Sequence, residues 1–180
     1  MREIEIKARV KDEQNLLDSL VVHGIHLGKP VTQHDVVYCK PGAVENAFDA
    51  NWLRIRTENG KKVTFTLKRS VHGHLDSIEH ETVVSDGEEL EAIIKLLGFE
   101  LYSNLTKIRQ KAKIGDIEFC FDKVPQLGTF VEAEKMMKHD ADHDEVVLEL
   151  WKFLETLGLS HEDEEERGYD VLEREQRLSI

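Results

Sequence analysis

Polar and apolar side chains alternate along much of this chain, in blocks separated by turn-forming residues. The first block is Glu3-Ile4-Glu5-Ile6-Lys7-Ala8-Arg9-Val10. A β-strand turns successive side chains to opposite faces, so Glu3, Glu5, Lys7 and Arg9 share one face and Ile4, Ile6, Ala8 and Val10 the other. Further blocks predict strands over Val31–Tyr38, Trp52–Glu58, Lys62–Lys68, Ile78–Val84, Thr106–Lys113, Ile117–Val124 and Thr129–Met136. The clearest pair is the hairpin of Trp52–Glu58 and Lys62–Lys68, joined at Asn59-Gly60, a dipeptide that accepts the positive φ angles of a tight hairpin turn. Turn residues also stand at Val71–His74, Gly115-Asp116 and Pro125–Gly128.

Three stretches carry a helical period instead. Glu13–His23 aligns Leu16, Leu17 and Leu20, with Asp12 as N-cap and Gly24 as its stop. Ser85 with Glu88 reads as a capping box for a helix that ends near Gly98 and buries Leu90, Ile93, Ile94 and Leu97. A longer helix over Asp142–Leu157 repeats Val146, Val147, Leu150, Trp151 and Leu154, which makes Trp151 a core residue. Pro41 to Asn51 reads as a loop, either a lid or a plain connection, and Glu162 to Glu166 as a solvated turn or helix start.

Composition narrows the class. With 180 residues and 40% hydrophobic content the chain can bury one sizeable core, so a single domain over 1–180 is expected. Cys39 and Cys120 lie far apart without metal or redox spacing, as in a reduced protein, and neither is assigned a role. The chain shows neither a membrane-length apolar run nor a signal peptide's apolar stretch, so a cytoplasmic protein without membrane association is expected. The net charge of −12 argues against general nucleic-acid binding. Residues 139–180 carry 14 acids and 4 bases, leaving 22 acids and 20 bases for residues 1–138. A basic site can therefore sit inside the nearly balanced body of an acidic protein.

Seven or eight antiparallel strands with few helices point to a closed or nearly closed barrel, because closure removes unpaired edges. For one strand alone, a charged face is explained by solvent. Taken together, the strands segregate their charges by sign: Arg54 with Arg56, and Lys107, Arg109, Lys111 with Lys113, against Glu79 with Glu81 and Glu132 with Glu134. This pattern favours a polar interior with helices covering the apolar outside. Buried charge of both signs needs a partner, and a phosphate chain bound with a divalent metal supplies one. Arginine and lysine neutralise phosphoryl oxygens while carboxylates hold the hard cation.

The motifs Glu3-x-Glu5-x-Lys7, Leu53-Arg54-Ile55-Arg56, Thr66-Leu67-Lys68, Glu79-x-Glu81, Lys107-x-Arg109, Asp122-Lys123-Val124 and Leu127-Gly128-x-Phe130-x-Glu132-x-Glu134 together resemble the CYTH family of triphosphate tunnel metalloenzymes. That family includes class IV adenylyl cyclases, thiamine triphosphatases and inorganic triphosphatases. The resemblance implies an α+β fold: an eight-stranded antiparallel barrel, open as a tunnel, with barrel motifs in residues 3–134, helices packed outside and a C-terminal helical part over 140–180. It implies Mg²⁺ or Mn²⁺ as cofactor, with Glu3, Glu5 and Glu134 facing the metal and Glu132, Asp122 and Glu81 in support. Lys7, Arg54, Arg56, Lys68, Lys107 and Arg109 would grip the triphosphate. Ser77 departs from the pattern, standing where many relatives carry a base, and so does Gly168-Tyr169, where a Ser-Tyr pair is common.

Phosphoryl transfer rests mainly on positioning and charge stabilisation, so such a lining suffices for chemistry. Lys7, Glu5 and Glu134 are the expected catalytic residues, Lys7 as candidate base. The compact spacing looks most like the adenylate cyclase branch, in which the ribose 3′-hydroxyl attacks the α-phosphorus of ATP and pyrophosphate leaves. A triphosphate phosphohydrolase acting on inorganic triphosphate, thiamine triphosphate or a nucleoside triphosphate is the alternative. A non-catalytic module that captures nucleotide or polyphosphate is a third reading, disfavoured because anion capture has no use for carboxylates on four strands. The helix-covered exterior leaves room for a homodimer.

Overall fold

The structure, a computed structural model, describes residues 2–43, 50–70, 75–138 and 140–179. Eight strands are found among them: β1 (Arg2–Arg9), β2 (Val31–Cys39), β3 (Trp52–Glu58), β4 (Lys62–Ser70), β5 (Asp76–Val84), β6 (Glu100–Ile114), β7 (Ile117–Val124) and β8 (Gly128–Met137). The helices are α1 (Glu13–Val22), α2 (Gly87–Leu96), α3 (His143–Thr156) and α4 (Tyr169–Leu178), with a 3-10 turn at His161–Asp163. The strands form a closed barrel in the order β1-β5-β4-β3-β2-β6-β7-β8, so the expected α+β barrel is present. No described helix is long and apolar enough to cross a membrane.

The chain divides into two compact units, Met1–Val31 with Lys107–Glu166 and Thr32–Thr106 with Arg167–Ile180. In the first unit β1 pairs with β8, β8 with β7 and β7 with the second part of β6, all antiparallel. The apolar face of these strands, with Ile4, Ile6, Ala8, Phe119, Phe121, Val131 and Ala133, packs against Leu16 and Leu20 of α1 and Val146, Leu150, Trp151 and Leu154 of α3. The helices therefore cover the apolar face, and the opposite, charged face turns away from them. That face is buried too, with Lys7, Lys107, Arg109, Asp122 and Glu132 each at most 5% exposed. A solvated strand face cannot account for this. Trp151 is a core residue at 1% exposure.

The second unit repeats the division. Tyr38, Leu53, Ile55 and Ile94 form its core with Val63, Phe65, Leu67 and Leu90 packed against it, placing α2 on the apolar face of β2, β3 and β4. At the β3–β4 turn Asn59 and Gly60 take φ angles of 50° and 65°, the left-handed conformation that the Asn-Gly pair accommodates.

Local caps explain where the helices begin. Asp12 accepts from the Asn15 backbone amide at 3.0 Å, as expected for α1. For α2 the N-cap is Asp86, whose side chain accepts from the Glu89 amide at 2.9 Å, in place of the expected Ser85. Either residue type can cap, but a helix starting at Gly87 lies close over Val63, whose Cγ1 would stand 3.2 Å from a Cβ at that position. Of the four apolar residues expected to be buried in α2, Ile94 is buried and Leu90 half-buried, whereas Ile93 and Leu97 are exposed. The covered stripe is the i, i+4 row alone.

Strand β6 is longer than the expected Thr106–Lys113. Tyr102 and Ser103 are buried in succession, which breaks the alternation at the point where the sequence pattern stopped being readable. The acidic run also departs from a purely solvated turn. Glu165 is buried, donates its backbone amide to Lys7 O at 2.9 Å and accepts from Arg9 at 2.7 Å. The turn at Val71–His74 and most of the loop after Pro41 lie outside the described residues.

Candidate functional site

Register builds the acidic centre of the first unit. Glu5 stands opposite Glu134 and Lys7 opposite Glu132 across β1 and β8, while Glu118 and Cys120 stand opposite Glu134 and Glu132 across β7 and β8. All lie on one face by the two-residue period. One carboxylate oxygen each from Glu5, Glu132 and Glu134 falls within 4.8 Å of the other two. Glu3 lies two residues before Glu5 on the same face, is half-buried and adds its negative field at Glu134.

Arg109 is the hub of the basic side. Its Nε donates to Asp122 Oδ1 at 2.7 Å, its Nη2 to both Asp122 and Glu132, and its Nη1 to Glu134 at 3.4 Å. Lys107 Nζ lies 3.2 Å from Asp122 Oδ2 and Lys7 Nζ 3.3 Å from Glu132 Oε1. Burial alone would raise the acid pKa values, yet Arg109, Lys107 and Lys7 hold Glu132 well below the usual carboxylate range, and Lys107 and Arg109 hold Asp122 below it. Glu134 goes the other way. Burial pushes it up to about 8 against the opposing pull of Arg109, and the charges of Glu5, Glu132 and Glu3 add to the rise.

The second unit carries its own charged face. Asp35 of β2 stands opposite Arg56 of β3, and Arg56 grips it with Nε at 2.7 Å and Nη2 at 2.6 Å. Arg54 Nη2 donates to Thr66 Oγ1 at 3.2 Å and lies 3.6 Å from Glu79, while its Nε is buried without a hydrogen-bond partner among the described residues. Lys68 pairs with Glu79 at 3.2 Å. Burial would raise the Glu79 pKa, but Lys68 and Arg54 hold it below its ordinary value.

Among the expected metal-facing residues, the structure thus gathers Glu5, Glu132 and Glu134, with Glu3 close in sequence. It does not bring Asp122 or Glu81 into that group. Both Asp122 oxygens are taken by Arg109 and Lys107, and Glu81, in the second unit, is 49% exposed and accepts from Thr66 at 3.0 Å. Ser77 is buried and donates to Glu79 at 3.4 Å. Sequence reasoning missed Asp35, a lone acid whose arginine partner is visible only in the register. It also passed over Glu118 and Cys120 as ligand candidates, although their parity put them on the right face.

An oxygen-only set of three clustered carboxylates suits a hard divalent cation, which would also stabilise the ionised Glu134 that burial disfavours. A CYTH domain matches residues 1–169. The chain belongs to the CYTH family. A curated protein of Methanocaldococcus jannaschii, provisionally named an adenylate cyclase, is 30% identical over 176 residues, covering 94% of this chain and 97% of that protein. Among solved structures, a Pyrococcus horikoshii protein matches with a TM-score of 0.81 and 26% identity over 94% of this chain and 98% of its own. A Hippeastrum protein, provisionally named an adenylyl cyclase and described as having a dominant triphosphatase activity, shares the CYTH fold at a TM-score of 0.60 and 17% identity, over 93% and 90% of the two chains. The family's reliance on a divalent metal agrees with the carboxylates gathered on β1 and β8.

Proposed function

We propose that this CYTH protein is a divalent-metal-dependent enzyme that converts ATP to cyclic AMP and pyrophosphate. The observation that carries a metal-dependent triphosphate chemistry is the buried face on which Glu5, Glu132 and Glu134 meet Lys7 and Arg109. The likeness to the Methanocaldococcus jannaschii protein over nearly the whole of both chains favours cyclisation.

In this reading Glu5, Glu132 and Glu134 hold Mg²⁺ or Mn²⁺, with Glu3 adding negative charge and Asp122 and Glu81 acting through the bases they touch. The metal supplies charge neutralisation at the phosphoryl oxygens. Lys7, Lys107 and Arg109 of the first unit bind the triphosphate as charged donors. The buried, unpartnered Nε of Arg54 is a donor that a phosphoryl oxygen would satisfy. Lys7, 3.3 Å from Glu132, is the candidate base, and from its neutral amine it would take the proton of the ribose 3′-hydroxyl as that oxygen attacks the α-phosphorus and pyrophosphate leaves.

A triphosphatase is the second reading, favoured by one fact about the fold: it hosts a protein described as having a dominant triphosphatase activity. The same residues would then direct water to the terminal phosphorus. Product analysis with ATP, inorganic triphosphate and thiamine triphosphate, each with Mg²⁺ and with Mn²⁺, separates the two. Cyclic AMP with pyrophosphate is the expected result from ATP. ADP with phosphate, or much faster cleavage of inorganic triphosphate, would overturn the cyclase reading and leave the hydrolase.

A further inference from the structure

We infer that Gln33 and Ser103 form a sugar-reading subsite beside Arg54 and Arg56, where the ribose hydroxyls of a nucleoside triphosphate are bound. Inorganic triphosphate has no group to fill it. Gln33 is 2% exposed and Ser103 fully buried, yet Gln33 Oε1 and Ser103 Oγ have no hydrogen-bond partner among the described residues. Buried polar atoms are nearly always paired, and an orphan costs free energy until a partner reaches it. With Arg54 Nε this makes three such atoms on three neighbouring strands, β3, β2 and β6, all within the second unit. That the triphosphate carries a nucleoside rests on the proposed function; the unpaired atoms do not.

The three share a face. Gln33 and Asp35 are buried positions two residues apart on β2, and Arg56 reaches Asp35 across the β2–β3 pairing. His34, turned to the other side, lies with Nε2 2.7 Å from Asn104 Oδ1, which sets β2 and β6 side by side there. Ser103 precedes Asn104 and so points the way Gln33 and Asp35 do, in keeping with a strand that buries Ser103 and Leu105 and exposes Asn104 and Thr106. Arg54 lies two residues from Arg56 on β3 and shares its face.

Glu58 fixes which way the Gln33 amide turns. Gln33 Nε2 donates to Glu58 Oε1 at 2.8 Å, and Lys62 stands 3.6 Å from the same carboxylate. Burial would raise the Glu58 pKa, yet the Gln33 amide and Lys62 hold it below its ordinary value, so Glu58 is ionised and only accepts. Gln33 therefore keeps its nitrogen on Glu58 and turns its oxygen to a ligand's donor. Ribose hydroxyls answer both orphans: one donates to Gln33 Oε1, and the same group or its neighbour accepts from Ser103 Oγ. Spacing points the same way. The Gln33–Glu58 row lies two residues, about 7 Å, along from the Asp35–Arg56 row, a step that one sugar spans from a phosphoryl oxygen held by the arginines. The amine of a base stands beyond the sugar and only donates, so it leaves Ser103 without a partner for its hydroxyl proton.

The test is calorimetry of ATP, 2′-deoxy-ATP, 3′-deoxy-ATP, inosine triphosphate and inorganic triphosphate with the full chain, without metal so that no turnover intervenes. Loss of the hydroxyl that Gln33 reads should weaken binding about tenfold relative to ATP, the upper range for a neutral hydrogen bond, and the deoxy analogue that shows the loss names the hydroxyl. Inosine triphosphate, which lacks the base amine, should bind as ATP does. Gln33→Met, similar in length and without the acceptor, should bring ATP down to the level of that analogue and leave inorganic triphosphate unchanged. Ser103→Ala should also narrow the gap, and this small change carries the test should Gln33→Met fail to fold. Equal affinity for ATP and both deoxy analogues, a gap that survives either substitution, or a matching loss for inorganic triphosphate overturns the subsite. Weaker binding of inosine triphosphate that Gln33→Met erases would move Gln33 to the base and overturn the sugar assignment. Products separate this subsite from the reaction: ADP and phosphate from ATP would overturn the cyclase reading and leave the subsite standing, whereas cyclic AMP from a protein indifferent to both missing hydroxyls would do the reverse.

Discussion

Arg109 holds Asp122 through two nitrogens, with the carboxylate fully buried and the guanidinium nearly so. Arg109 and Lys107 take both Asp122 oxygens, and Asp122 stands outside the group of Glu5, Glu132 and Glu134. It also keeps Arg109 oriented toward Glu132 and Glu134.

Breaking that pair should be costly. Asp122→Ala leaves Arg109 and Lys107 short of a buried counter-charge, and a loss of about 3–5 kcal/mol in unfolding free energy is expected, the scale for removing one partner of a buried ion pair. Urea denaturation measures it. A loss below about 1 kcal/mol, as for an exposed pair, would show that Asp122 is not the anchor of Arg109.

Glu5→Gln keeps the size of the side chain but removes a charge from the carboxylate group. Metal-dependent turnover should collapse, while triphosphate binding without metal, followed by calorimetry, should persist or tighten because a negative charge facing the phosphates is gone. Weaker metal-free binding would place Glu5 in a different role.

Arg56→Ala should weaken triphosphate binding by about 1.5–3 kcal/mol, the scale of a hydrogen bond to a charged group. The bidentate grip on Asp35 means the same change also leaves a buried carboxylate without its partner. Asp35→Asn is therefore the paired control, expected to affect stability with a smaller effect on affinity. Unchanged affinity in Arg56→Ala removes this residue from the phosphate site.

Glu134 sets a pH dependence for the metal-free protein. Its folded pKa of about 8 lies above the ordinary carboxyl value, so the unfolded chain sheds this proton first as pH rises. The stability it contributes is fully present below the unfolded pKa and is lost as pH climbs through about 8. Chemical denaturation between pH 5 and pH 8 should show falling stability, and Glu134→Gln should flatten that slope. A wild-type slope in the variant would assign the effect to another group. Saturating Mg²⁺ should also diminish the slope, since a cation favours the ionised carboxylate.

Period-two alternation was enough to place Glu5, Lys7, Glu132 and Glu134 on one face each of their strands, and Asn59-Gly60 to mark a hairpin, because strand geometry and turn sterics are local. Segregation of acids and bases by strand was enough to turn those faces inward, since scattered solvated charges have no reason to sort by sign. What local pattern cannot encode is which strand lies beside which and in what register. Only pairing of β7 with β8 sets Cys120 beside Glu134, and only pairing of β2 with β3 sets Asp35 against Arg56. The commitment of Asp122 to Arg109 rather than to the carboxylate group is likewise a tertiary outcome. Three charges brought within a few ångströms in a buried place choose partners by distance and desolvation, and neither quantity exists in the chain until the strands close.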